Sequence, residues 1–120
     1  MRQIKSGTGW RLGWDPTAVK FQGLLAGDRW SLELSEAELN DFCRLTLQLA
    51  ETVQQVAAEL MDEERITCEA ESELIWIEIE GYPQSFSLHF ILLTDRGAEG
   101  TWPPAAAAEV IQAIPRLRLF

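Results

Sequence analysis

Four glutamates alternate through the stretch CEAESELIWIEIE, Glu69 and Glu71 first and then Glu78 and Glu80. Carboxylates at every second position share one face of a strand. On adjoining strands they could converge on a hard cation such as calcium, which takes oxygen ligands. No D-x-D-x-D-G loop accompanies them, so they read as a solvated acidic face and no metal is expected. His89 is the single histidine. A general base needs a nucleophile and an orienting group beside it, and neither a G-x-S-x-G nor a Cys–His signature is present. The chain is therefore expected to be no enzyme, with no catalytic residue and no cofactor. Cys43 and Cys68 each fall inside a periodic apolar pattern, and read as two reduced core thiols rather than a disulfide or metal pair.

Binding chemistry is the alternative. The sequence holds five tryptophans, Trp10, Trp14, Trp30, Trp76 and Trp102, and an exposed aromatic ring can stack on a nucleobase. Trp10, Trp14 and Trp30 share the alternation phase of Leu12, Leu32 and Leu34, which places them in the core. Trp76 is out of phase with Ile75, Ile77 and Ile79 and should stand on the opposite face beside Glu78. Net charge is −9, yet residues 1–34 carry Arg2, Lys5, Arg11, Lys20 and Arg29 against only Asp15, Asp28 and Glu33. A single-stranded nucleic acid would meet Arg11, Lys20 and Arg29 through its phosphates, with Trp14 under a base. The overall acidity weighs against that reading. Arg29 and Arg96 follow strand ends at matching points and read as turn residues, or as a symmetric pair of anion contacts.

Elements must hold these residues in place. Ser35 and Glu38 have the S-x-x-E form of a capping box. Behind them Leu39, Phe42, Thr46, Leu49, Val53, Val56 and Leu60 recur at alternating spacings of three and four, one helix face. With no Gly or Pro between Ser35 and Arg65, a helix of about 27 residues, roughly 40 Å long, is expected within residues 35–63. Leu45, Leu47, Ala50, Ala57 and Met61 widen its apolar surface. A helix so apolar should cover a sheet and also meet another chain, which makes Leu45, Leu47, Met61 and Trp76 the candidate interface of a homo-oligomer. Elsewhere period-two alternation predicts strands at Trp10–Trp14, Val19–Leu25, Trp30–Leu34, Ile66–Glu71, Ile75–Ile79 and Phe86–Leu92. Pro103 and Pro104 open a second helix, Ala105–Ile114, which Pro115 should end.

The halves echo one another. LLAGDRW at residues 24–30 returns as LLTDRGAEGTW at 92–102, and WRLGWDP at 10–16 is matched by WIEIEGYP at 76–83. A single α+β domain over residues 1–120 is expected, built from two sheet-plus-helix repeats, roughly 1–64 and 65–120, with pseudo-twofold symmetry. The alternative is a cystatin-like arrangement, one long helix over one curved antiparallel sheet. A duplicated unit of this kind resembles the fold of single-stranded-DNA-binding transcriptional regulators of the Whirly type. With its WRLGWDP opening, DRWSLELSEAE crossing and closing TWPP step into a helix, the chain also resembles a family of small uncharacterised cyanobacterial proteins, a domain of unknown function. That resemblance implies architecture and origin and transfers no site residue. The Lys-rich strand loops of the DNA-binding relatives are missing.

The N-terminus MRQIKSGTGW has no apolar core, and the longest uncharged run, Gly81–Thr94, is too short to span a bilayer. A soluble, cytoplasmic protein without membrane association is expected. It should work as a non-catalytic protein-interaction or assembly module, with single-stranded nucleic-acid binding as the alternative.

Overall fold

Short alternating segments joined by brief connections pair most readily with their chain neighbours. The computed structural model, which describes residues 2–59 and 64–117, shows that outcome twice. Strands β1 (Gln3–Gly7), β2 (Trp10–Trp14), β3 (Gly23–Ala26) and β4 (Ser31–Leu34) form one antiparallel sheet in chain order. Helix α1 (Glu36–Ala57) follows. Strands β5 (Ile66–Glu71), β6 (Ile75–Tyr82), β7 (Ser85–Leu92) and β8 (Glu99–Trp102) repeat the arrangement in a second sheet, followed by α2 (Pro104–Ala113) and a 3-10 turn, Ile114–Arg116. Strand order and direction agree between the halves. Two sheets, not one, replace the cystatin-like alternative.

The width of the apolar surface on α1 has a cause within the chain. The helix packs against β3 and β4 of the first sheet and against β5 and β6 of the second. A surface broad enough for two sheets needs no second chain to cover it. Leu45, expected at an interface, is 4% exposed and belongs to the core, together with Leu39, Phe42, Leu49 and Val53. Helix α2 likewise touches both sheets, through β1 and β2 on one side and β7 and β8 on the other. Among the described residues no helix is long and apolar enough to cross a membrane.

Two expectations about the elements need correction. Helix α1 spans 22 residues, shorter than expected. Beyond Val53 its stripe runs off the sheets, leaving Val56 and Ala57 half-buried and Ala58 and Glu59 exposed. A tight bond from the Glu59 amide to the Val56 carbonyl closes the last turn. Val19–Gln22 is loop, and β3 starts only at Gly23. The Asp15 carboxylate accepts from the Thr17 amide at 3.0 Å and the Thr17 hydroxyl at 2.7 Å, a local turn that competes with the strand. Val19 is left 98% exposed.

The echo marks the third-to-fourth-strand connection of each half, and its tryptophans meet. Trp30, half-buried just before β4, and Trp102, buried at the end of β8, have ring centroids 5.1 Å apart and share contacts with Phe90. Trp30 Nε1 donates to the Thr101 carbonyl at 3.2 Å, and Trp102 Nε1 donates to the Ala26 carbonyl at 2.9 Å. Each half thus receives an indole hydrogen bond from the other.

A second joint lies at the start of α1. The capping box forms as expected: the Glu38 amide donates to Ser35 Oγ at 3.2 Å, and the Ser35 amide to Glu38 Oε1 at 2.8 Å. The Glu38 carboxylate also takes the Arg96 guanidinium on Oε1 and the Thr94 hydroxyl on Oε2, the latter at 3.0 Å. Arg96 donates further to the Glu33 carbonyl and lies over the Phe21 ring, 4.7 Å from its centroid. A cap residue of the first half is therefore also the anchor for the β7–β8 loop of the second.

Candidate functional site

Both helices pack on the inner faces, and period two sends every other strand residue to the outer faces. On the second sheet the register places Glu69 directly opposite Glu78, Glu71 opposite Trp76, Thr67 opposite Glu80, and Glu78 opposite His89. Beyond them Ile91 stands opposite Glu99. The outer face is therefore a field of five carboxylates around Trp76, His89 and Ile91, with Trp76 half-buried on the side the alternation predicts. The alternating stretch in β5 and β6 foreshadowed four of these carboxylates. Glu99 joins through the pairing of β8 with β7, which alternation within β8, out of phase with Trp102, can signal only weakly.

Two of the five carboxylates have partners. Arg65 Nη2 lies 2.7 Å from Glu80 Oε1 and its guanidinium sits over the Tyr82 ring at 5.3 Å. His89 Nε2 lies 2.8 Å from Glu99 Oε2, and the His89 ring meets Trp76 edge-on at 5.5 Å. Among the described residues, Glu69, Glu71 and Glu78 have no cation within ion-pair distance. No group of His, Cys, Asp and Glu among the described residues is arranged to hold a metal ion. The Ser87 hydroxyl, on the same face, donates to the Glu80 carbonyl at 3.2 Å rather than to His89. What the surface offers chemically is attraction for positive charge beside an aromatic ring.

The first sheet has a different outer face. Its central row reads Ile4, Gly13, Leu24 and Glu33 across the four strands. With Arg2, Arg11 and the loop after β2, this row lines an open concavity of about 350 Å³. Arg11 is exposed and has no hydrogen-bond or ion-pair partner among the described residues. Trp14 projects the other way, into the core, and is 6% exposed. Burial corrects its expected place under a base, because almost none of its ring is accessible. Lys20 lies over Phe21 at 5.3 Å, so it and Arg96 both sit on that ring. Arg29 is exposed in the β3–β4 connection. Its counterpart Arg96 is engaged by Glu38, so the two do not form a symmetric pair of anion contacts.

Of the expected interface residues, Leu47 is 36% exposed, Leu45 is buried and Met61 lies outside the described residues. Cys43 and Cys68 are both free thiols. Burial pushes the Cys43 thiol up to about 12, which keeps it protonated and unreactive near neutral pH.

A model of a protein family described as a domain of unknown function, DUF1818, matches residues 5–117. Among solved structures, the chain is similar to a crystal structure described as a protein with unknown function from the DUF155 family of Prochlorococcus sp. NATL2A. The two share 29% identity and a TM-score of 0.90, over 95% of this chain and 97% of that one. No curated protein matches.

Proposed function

This chain belongs to the DUF1818 family, and on that premise we propose that it is a non-catalytic interaction module whose outer second sheet docks a lysine- or arginine-rich segment of another protein. One observation carries the reading. Glu69 and Glu78 stand directly opposite each other on the outer face, with Glu71 next to them and no cation paired with them among the described residues. Like charges placed directly across two strands destabilise a sheet. A basic segment laid over the face would relieve that repulsion, and Trp76 would add a cation–π partner.

A fluorescently labelled Lys/Arg-rich peptide, titrated by anisotropy, tests this. Binding should be saturable, weaken as salt rises through the physiological range, and be lost in a Glu69→Gln/Glu71→Gln/Glu78→Gln variant. A triple variant that binds as well as the parent chain overturns the reading.

A second reading takes the repeated sheet-plus-helix unit as resembling Whirly-type regulators and favours single-stranded nucleic acid, and the exposed Arg11 on the first sheet, without a partner among the described residues, is the observation on its side. The buried Trp14 and the carboxylates of Asp15 and Glu33, which line the same concavity as Arg11, count against it. A labelled oligothymidylate in the same assay should show no binding at moderate salt. Binding that falls on Arg11→Ala would favour this second reading. Homo-oligomerisation through α1 draws less support, because Leu39, Phe42, Leu45, Leu49 and Val53 are buried within the chain, and Leu47, 36% exposed, is the part of that surface left open among the described residues.

A further inference from the structure

The acidic face leaves one feature of the molecule unused, the local excess of positive charge in residues 1–34. On the outer face of the first sheet two of those charges, Arg2 and Arg11, line the open concavity together with the apolar side chains of Ile4 and Leu24. Gly13 has no side chain, and a Cβ there would lie 3.0 Å from Ile4 Cδ1 and 3.1 Å from Leu24 Cβ. Gly13 is itself buried, because the Ile4 and Leu24 side chains close over it from the neighbouring strands. Ile4 remains 42% exposed although it stands in the centre of a structured face. At about 350 Å³ the concavity falls at the small end of the range for small-molecule sites.

The loop that walls it is held in place from several directions. The Asp15 amide donates to the Gln22 carbonyl at 2.8 Å, and Gln22 Nε2 donates to the Ala18 carbonyl at 3.0 Å. Gln22 Oε1 accepts the Glu36 amide at 3.0 Å, which ties the loop to the start of α1. A wall held this way needs little ordering when a ligand enters.

The charges are not equivalent. Asp15 is already satisfied: the Thr17 hydroxyl and amide, with a smaller contribution from Arg2, hold its carboxyl below the usual range. Arg11 has no partner among the described residues. The Glu33 carbonyl receives Arg96, whereas its carboxylate has no partner and borders the concavity opposite the arginines. Charges beyond about 8 Å are largely screened at physiological salt, so the acidity of the whole chain does not decide the sign here.

We propose that this concavity binds a small organic anion with a compact apolar body, a carboxylate or phosphate monoester. The anionic group meets the Arg11 and Arg2 guanidinium groups, and the body rests on the Ile4 and Leu24 side chains. A guanidinium presents planar, forked donors that suit either anion. The Glu33 carboxylate acts against a doubly charged ligand and favours one carrying a donor or a positive group at its far end.

Amide chemical-shift titration of the whole chain with phenyl phosphate tests the proposal, using inorganic phosphate and phenol as comparison probes. Phenyl phosphate should shift the Gly13 and Leu24 amides saturably, with a Kd on the order of 1 mM for so small a probe. Inorganic phosphate, lacking the apolar body, and phenol, lacking the charge, should each bind at least about tenfold more weakly. Arg11→Gln should weaken phenyl phosphate about tenfold, as expected for loss of a charge-assisted hydrogen bond, and Glu33→Gln should tighten it. Both positions are exposed, so neither variant should disturb the fold. Shifts scattered away from Gly13 and Leu24, equal binding of phenol, or an Arg11→Gln variant that binds as well as the parent would each overturn the site. Tight oligothymidylate binding that displaces phenyl phosphate would overturn it in favour of a nucleic-acid surface.

Discussion

Replacing Arg96 by alanine should destabilise the protein more than an ordinary surface substitution does, because of where the partner lies. The Arg96 side chain is 35% exposed but that of Glu38 is 5% exposed, so the substitution strands a carboxylate that is shut off from water. Removing one partner of a fully buried ion pair costs about 3–5 kcal/mol. Here one side of the pair reaches solvent, and Glu38 keeps the Ser35 amide and the Thr94 hydroxyl. We therefore expect about 2–3 kcal/mol, including the lost contact with the Phe21 ring. For a chain of 120 residues this corresponds to a fall in Tm of roughly 8–12 °C. Urea denaturation is the assay, with the m-value expected to be unchanged. Arg96→Lys keeps the charge but loses the fork that spans Glu38 and the Glu33 carbonyl, and should lose about half as much. A double-mutant cycle with Glu38→Gln should show coupling above about 1 kcal/mol. A loss for Arg96→Ala within about 0.5 kcal/mol of zero, or an additive cycle, would refute the view that this pair fastens the two halves.

Other expectations concern the core and the thiols. Thr46 is fully buried in α1 with no hydrogen-bond partner for its hydroxyl, so Thr46→Val should stabilise by about 1 kcal/mol in the same urea assay. A Cβ at Gly100 would come within 2.6 Å of the Trp30 ring, and Gly100→Ala should cost about 1–3 kcal/mol, with a change in tryptophan fluorescence as Trp30 is displaced. In the folded protein Ellman's reagent should modify the half-buried Cys68 and spare Cys43; modification of both at equal rates would show that Cys43 is not enclosed. Because folding raises the Cys43 value from 9.0 to about 12, its contribution to stability is complete below pH 9 and is lost as pH rises through that window. Cys43→Ala should shallow the alkaline fall in stability. The Glu69→Gln/Glu71→Gln/Glu78→Gln variant should gain a few tenths of a kcal/mol by relief of like-charge contacts, measured as a small rise in Tm.

Local signals were enough for much of this protein. The S-x-x-E box set the start of α1, since its two hydrogen bonds need only neighbouring residues. Alternation put Ile75, Ile77 and Ile79 inside and Trp76, Glu78 and Glu80 outside, because strand side chains change face at every step whatever the sheet packs against. The repeated Leu-Leu…Asp-Arg…Trp pattern marked the same connection in both halves. The extent of an apolar surface was also legible, but not what would cover it. Width on α1 is the same in sequence whether a second sheet or a second chain lies across it, and only packing decided that Leu45 is core. Pairing partners were hidden for the same reason. Glu38 reads as a cap residue, and its bond to Arg96 spans 58 positions that no local pattern links. Glu99 meets His89, and Ile4 comes beside Gly13, through strand register, which the hydrogen-bonded ladders set and side-chain type records only faintly. The concavity on the first sheet brings together Ile4, Gly13, Leu24 and Glu33 from four strands, a juxtaposition that only the assembled sheet creates.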